Sequence, residues 1–252
     1  MREMEWQLDL RTVPDERLRR MALAADEIEE CYRVLRKGGI NIVGEVLKGQ
    51  GTFYEMEHYP RDDVFDGDSF AQYYYHAHRE GSIEHGHFHT FVRAGGMPAG
   101  MAPAPYRGPA ERPLGEEAIC HLIAISMDDY GFPVGLFAVN RWVTGESWYD
   151  AEDAIGLLDR FVIDHAFPSW PVNRWIGAMI QIAHPQISAL LRQRDQVVLE
   201  WSERHPDRDV YEDRELEITG YLPIDVPAQI EAVRGECQRR LAIPAVKLSE
   251  VS

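Results

Sequence analysis

Residues 76–91, HAHREGSIEHGHFHTF, hold five of the ten histidines in this chain: His76, His78, His85, His87 and His89. Imidazole nitrogens bind Zn, Cu, Fe and Ni, so an all-histidine set points to a transition metal rather than to Mg or Ca, which take oxygen ligands. Side chains that share an ion must first share a surface. Gly81-Ser82 provides the means, because Gly at the first central position of a two-residue type II′ turn joins two antiparallel strands. Glu80 then faces Ile83, His78 faces His85, His76 faces His87 and Tyr74 faces His89, and the period-two alternation of strands puts all of them on one face. The other face pairs Arg79 with Glu84, Ala77 with Gly86, Tyr75 with Phe88 and Tyr73 with Thr90, a set of cross-strand partners that supports the same register.

Directly opposed Cβ atoms lie about 4.5–5.5 Å apart, and an imidazole nitrogen sits about 2.0–2.1 Å from its metal, so chelation is within reach. The expected ligands are His76, His78 and His87, with His85 or His89 as the fourth. Histidines left over would orient the ligands, carry protons or hold a second ion. Glu80 shares the face and is the expected acid/base. Five crowded imidazoles on a solvated strand would repel on protonation, which favours the metal reading over a plain surface strand.

Asn140 and Arg141, in NRWVTGESW, join Glu80 as candidate catalytic residues: Asn140 and Trp142 share a strand face, and Arg141 on the other can grip a carboxylate through two nitrogens. His121, in ICHLIAISM, shares its expected face with Ile119, Ile123 and Ile125 and reads as a buried structural histidine. His58 lies among Glu55, Glu57 and several aspartates that lack EF-hand spacing, and reads as part of a solvated loop. No Walker loop, GxGxxG, GxSxG or HExxH occurs, so nucleotide, dinucleotide and serine-hydrolase chemistry have no motif.

The elements that would carry these residues make an α+β fold. Leu18, Met21, Ala22, Ala25, Ile28, Tyr32 and Leu35 recur at helical spacing, so 14–37 is expected to be an amphipathic helix ending at Gly38. Residues 40–145 are expected to form an antiparallel sheet of five or six strands. INIVGEVL and TFYEMEH are read as the first two, RDDVFDGDS as a loop, and 70–80, 83–92, 118–127 and 134–143 as the rest. The Gly/Pro-rich segment 94–115 is a long loop and a candidate lid. Residues 147–245 are read as helical, with segments at 149–165, 172–183, 185–204 and 228–241, and the whole of 1–252 as a single domain.

A formal charge of −16 argues against a nucleic acid or anionic membrane partner, since either needs a basic face. Three scattered cysteines suggest neither a disulfide framework nor a thiolate zinc site. The charged N-terminal stretch does not read as a signal peptide, and no run reaches the roughly 20 apolar residues of a membrane span, so a cytoplasmic protein is expected.

At EHYPRDDVFDGDSFAQYYYHAHR, EHGHFHTF, HLIAISMDDYG and NRWVTGE the chain resembles an uncharacterised bacterial family catalogued only as a domain of unknown function, over about residues 50–200. The histidine hairpin alone is similar to the zinc site of alpha-class carbonic anhydrases, in which an HxH strand and a histidine on a neighbouring strand bind the metal. It also resembles the HxH of cupins, but departs from them because Glu80 is too close to the second histidine and Glu84 is expected on the opposite face. The combined expectation is a metal-dependent enzyme acting on a small molecule. An Fe(II) or Cu oxygen-dependent oxidoreductase is placed ahead of a zinc hydrolase or lyase, and a metal carrier or sensor is the non-catalytic alternative.

Overall fold

A computed structural model describes residues 4–77 and 84–241. Its first long element is α1, Asp15–Lys37, introduced by Pro14. Asp15 and Glu16 in the first turn and Arg36 and Lys37 in the last complement the helix dipole. Leu18, Met21, Ala25, Ile28 and Leu35 are buried, as the helical period predicts.

INIVGEVL is not a strand. It forms a short helix, α2, Ile42–Leu47, because the Asn41 side chain caps it by accepting from Gly44 N at 2.7 Å. Ile42, Val43 and Val46 then fall on one buried side. Short apolar runs carry no period that separates helix from strand. TFYEMEH is irregular, and the first strand is the acidic stretch read as a loop: β1, Tyr59–Phe65, buries only Tyr59, Pro60 and Val64. It lies at the sheet edge, where charged side chains are tolerated and discourage further strand pairing.

The remaining strands are β2 (Ala71–His76), β3 (Gly86–Arg93), β4 (Ile119–Met127), β5 (Pro133–Val139) and β6 (Ile218–Pro223). All neighbours are antiparallel and follow chain order from β1 to β6. The six-stranded antiparallel sheet and the flanking helices make this an α+β fold, as expected. The sixth strand is a correction: it comes from within 147–245, read as helical, and pairs with β5 across a long helical excursion. Pairing at such a distance leaves no turn signature in the sequence.

That excursion contains α3 (Arg141–Thr144), α4 (Ala151–Leu157), α5 (Trp170–Ile182) and α6 (His184–Arg204); α7 (Val226–Leu241) follows β6. The run at 134–143 therefore ends as a strand at Val139, where Asn140 caps α3. No helix among the described residues is long and apolar enough to cross a membrane. The core lies between one sheet face and the helices. Tyr73, Tyr75 and Phe88 are fully buried there, each worth about 1.5–3 kcal/mol by analogy with Phe burial. Phe88 packs against Trp175 of α5, and the Tyr73 hydroxyl donates to Asn173 Oδ1 at 2.6 Å.

Candidate metal centre

The register between β2 and β3 is the one the turn predicts: Tyr73 opposite Thr90, Tyr74 opposite His89, Tyr75 opposite Phe88 and His76 opposite His87. Since Tyr73, Tyr75 and Phe88 face the helices, alternation sends His76, His87 and His89 to the other face. There they form one cluster, with a nitrogen from each within 4.8 Å of the other two. The ring centroids of His76 and His87 are 4.5 Å apart, and those of His87 and His89 are 4.9 Å apart. His87 and His89 are fully buried, and His76 is partly exposed, so the cluster opens on the His76 side.

Two of these rings are held from behind. Glu84 reaches His87 Nδ1 at 2.5 Å with one carboxylate oxygen and accepts from Ser126 Oγ with the other. His89 Nδ1 lies 2.9 Å from His121 Nε2. Burial, reinforced by the Arg194 charge, pushes the His121 pKa down to about 3, so His121 is neutral. A neutral His121 can accept the Nδ1 proton of His89, which puts the coordinating lone pair of His89 on Nε2. Glu84 selects Nε2 of His87 in the same way. His76 Nε2 and His87 Nε2 stand 2.7 Å apart. Two nitrogens on a tetrahedral ion would be about 3.3–3.4 Å apart, so modest side-chain rotation accommodates a metal.

The His121 contact depends on an irregularity in β4. Thr90 faces Ile123 while Phe91 faces His121, so Leu122 is an extra residue on that strand. The bulge reverses the alternation on one side of it, and His121 shares the face of His89 and Phe91 rather than that of Ile123 and Ile125. Beyond it, the His121 N–H donates to Glu146 Oε2 at 2.8 Å. Glu146 is fully buried, and that burial raises its carboxyl pKa to about 7.

His85 does not join the cluster. Its Nδ1 lies 2.6 Å from the Tyr75 hydroxyl, its ring stacks on Tyr75, and Phe53 is near it. Glu84 instead lies on the histidine side, so strand alternation fails for both residues just before Gly86. Tyr75 also crowds Gly86: a Cβ there would lie 2.5 Å from the Tyr75 hydroxyl and 2.6 Å from the His76 carbonyl oxygen, so only glycine fits at this position. His78, Glu80 and the Gly81-Ser82 turn lie outside the described residues.

Asn140 and Arg141 form a separate structural knot. Asn140 caps α3 through Oδ1 and donates from Nδ2 to Val210 O at 2.8 Å. Arg141 pairs with Glu212 at 2.5 Å and donates to the carbonyl oxygens of Glu146 at 2.9 Å and Glu111 at 2.7 Å. These partners occupy the guanidinium that the sequence offered to a substrate carboxylate.

His58, read as part of a solvated loop, lies at the rim of the cluster. Its ring stacks on Tyr74 with centroids 3.6 Å apart, and its Nδ1 lies 2.8 Å from Asp63 Oδ1. The period-two pattern was enough to find His76, His87 and His89. His121, Glu84 and His58 reach the site through a bulge, a change of direction before Gly86 and the fold-back of β1, none of which has a local sequence signature.

A family model described as a domain of unknown function, DUF6969, matches residues 22–224, and the chain belongs to that family. No curated protein and no solved structure matches the chain, so a likeness to carbonic anhydrases or to cupins is not shown.

Proposed function

We propose that this member of the DUF6969 family is a metal-dependent enzyme that holds a transition-metal ion through His76, His87 and His89 and acts on a small molecule. The observation that carries the proposal is the convergence of three histidines whose orientation is set by Glu84 behind His87 and His121 behind His89. Three neutral imidazoles leave coordination positions for water or substrate, as catalytic sites do.

An oxygen-dependent Fe(II) or Cu oxidoreductase is the leading version. Its support is the apolar wall beside the cluster, where Phe137 lies 5.0 Å from His87 and Tyr74 lies 5.2 Å from His89, centroid to centroid. Such a wall limits water around a redox metal. In the zinc version, a hydrolase or lyase, the ion would supply a hydroxide near neutral pH. Its support is the Glu84 carboxylate behind His87, the carboxylate–histidine arrangement common at zinc. The partly exposed His76 gives either version a route for substrate.

Elemental analysis of protein purified without chelator or added metal tests the site. Near-stoichiometric iron or copper, with oxygen uptake on candidate substrates, is expected. Zinc would move the assignment to hydrolysis and hydration, and no metal after anaerobic reconstitution would end the proposal.

A further inference from the structure

His58 is held at the rim of the histidine cluster by a chain of side chains. Its ring lies flat on Tyr74, with centroids 3.6 Å apart, and meets the His76 ring edge-on at 5.7 Å. Behind it, Asp63 meets Nδ1 at 2.8 Å with one oxygen and accepts from Gln72 Nε2 at 2.6 Å with the other. Gln72 Oε1 in turn accepts from Arg93 Nε. Residues of β1, β2 and β3 thus fix one carboxylate against one imidazole. Asp63 adopts a left-handed backbone at φ 57°, inside the irregular register between Tyr59 and Val64. A non-glycine residue is disfavoured there, persists where its surroundings hold it, and is found most often at functional sites.

One His58 nitrogen is left over. With Asp63 accepting the Nδ1 proton, a neutral imidazole carries its lone pair on Nε2, on the ring edge turned away from the carboxylate. Among the described residues nothing hydrogen-bonds to Nε2, and the His58 side chain is 39% exposed. His58 is also not part of the group of nitrogens that His76, His87 and His89 bring together. It stands outside the ligand set, beside His76, where the cluster opens. That is the place of a hydrogen-bond partner to whatever the metal binds, rather than of another ligand.

We propose that His58 is a substrate-selecting residue of this centre: Nε2 accepts a hydrogen bond from the molecule bound at the open side of the metal. The site then favours ligands in which a metal-binding oxygen is flanked by an N–H or O–H donor. Asp63 sets the tautomer that makes Nε2 an acceptor, and Tyr74 sets the plane of the ring. The inference rests on the reading of His76, His87 and His89 as a metal centre.

Two probes separate the donor from the metal-binding atoms. Acetohydroxamic acid chelates through two oxygens and keeps an N–H beside them; N-methylacetohydroxamic acid offers the same oxygens without the N–H. Metal content is measured first, and calorimetric titration of the metal-loaded protein with each probe follows. The parent is expected to prefer the N–H probe by about fivefold or more, the worth of one hydrogen bond. His58→Phe, which can still stack on Tyr74, should keep its metal and lose the preference, and His58→Gln, whose amide oxygen can accept, should recover part of it. A parent that binds neither probe or shows no preference, or an equal preference in parent and His58→Phe, would overturn the assignment. Loss of metal in folded His58→Phe and His58→Gln would overturn it as well, by making His58 a ligand. A parent without metal fails at the first step and removes the underlying metal reading along with this inference.

Discussion

His89 Nδ1 and His121 Nε2 meet at 2.9 Å between β3 and β4, although simple alternation along β4 would put His121 among the isoleucines of the core. One extra residue, Leu122, makes the contact possible. It holds the direction of a buried ring in the histidine cluster, which gives His121 a positioning role at the proposed metal site.

His121→Phe should therefore weaken metal binding by about 10–100-fold without abolishing it, the usual cost of removing a partner behind a ligand. Competition against a chelator of known affinity measures the change. Rescue by His121→Gln, which can still accept from His89, would separate orientation from packing. Full affinity in His121→Phe would show that the contact does not orient His89.

His87→Ala and His85→Ala should behave oppositely. The first removes a central nitrogen and should eliminate stoichiometric metal; the second leaves His76, His87 and His89 in place and should retain it. Metal content of the two purified proteins decides between this arrangement and one in which His85 coordinates.

Gly86→Ala should damage the fold and the site together. The added Cβ would meet the His76 carbonyl oxygen at 2.6 Å, so backbone must move rather than a side chain alone. A loss of about 1–3 kcal/mol is expected from overpacking, together with weaker metal binding. Urea unfolding and chelator competition on the same preparation test the pairing of these effects.

Glu146 predicts a pH dependence. Burial raises its folded-state pKa to about 7, above the unfolded value of about 4.3, so the folded protein holds this proton more tightly. Its contribution to stability is fully present below the unfolded pKa and is lost as pH rises through the folded one. Glu146→Gln imitates the protonated form, so it should match the parent near pH 4 and exceed it at pH 8, by on the order of 1–3 kcal/mol. A stability difference that stays constant between those pH values would contradict the assignment.

The amino-acid sequence alone determined α1, the pairing of β2 with β3 and the face on which His76, His87 and His89 emerge. Those features follow from local periods: 3.6 residues in a helix, two in a strand. Alternation within a hairpin therefore carries the ligand geometry almost directly. Tertiary structure decided the rest. Capping by Asn41 turned an apolar run into α2, and distant pairing brought β6 to the sheet. The bulge at Leu122 brought His121 behind His89. His85 pairs with the Tyr75 hydroxyl on the other face, while Glu84 meets His87. Arg141 was claimed by Glu212 and two carbonyl oxygens. In each case the deciding partner is remote in sequence or acts through one inserted residue, and a local period carries no information about either.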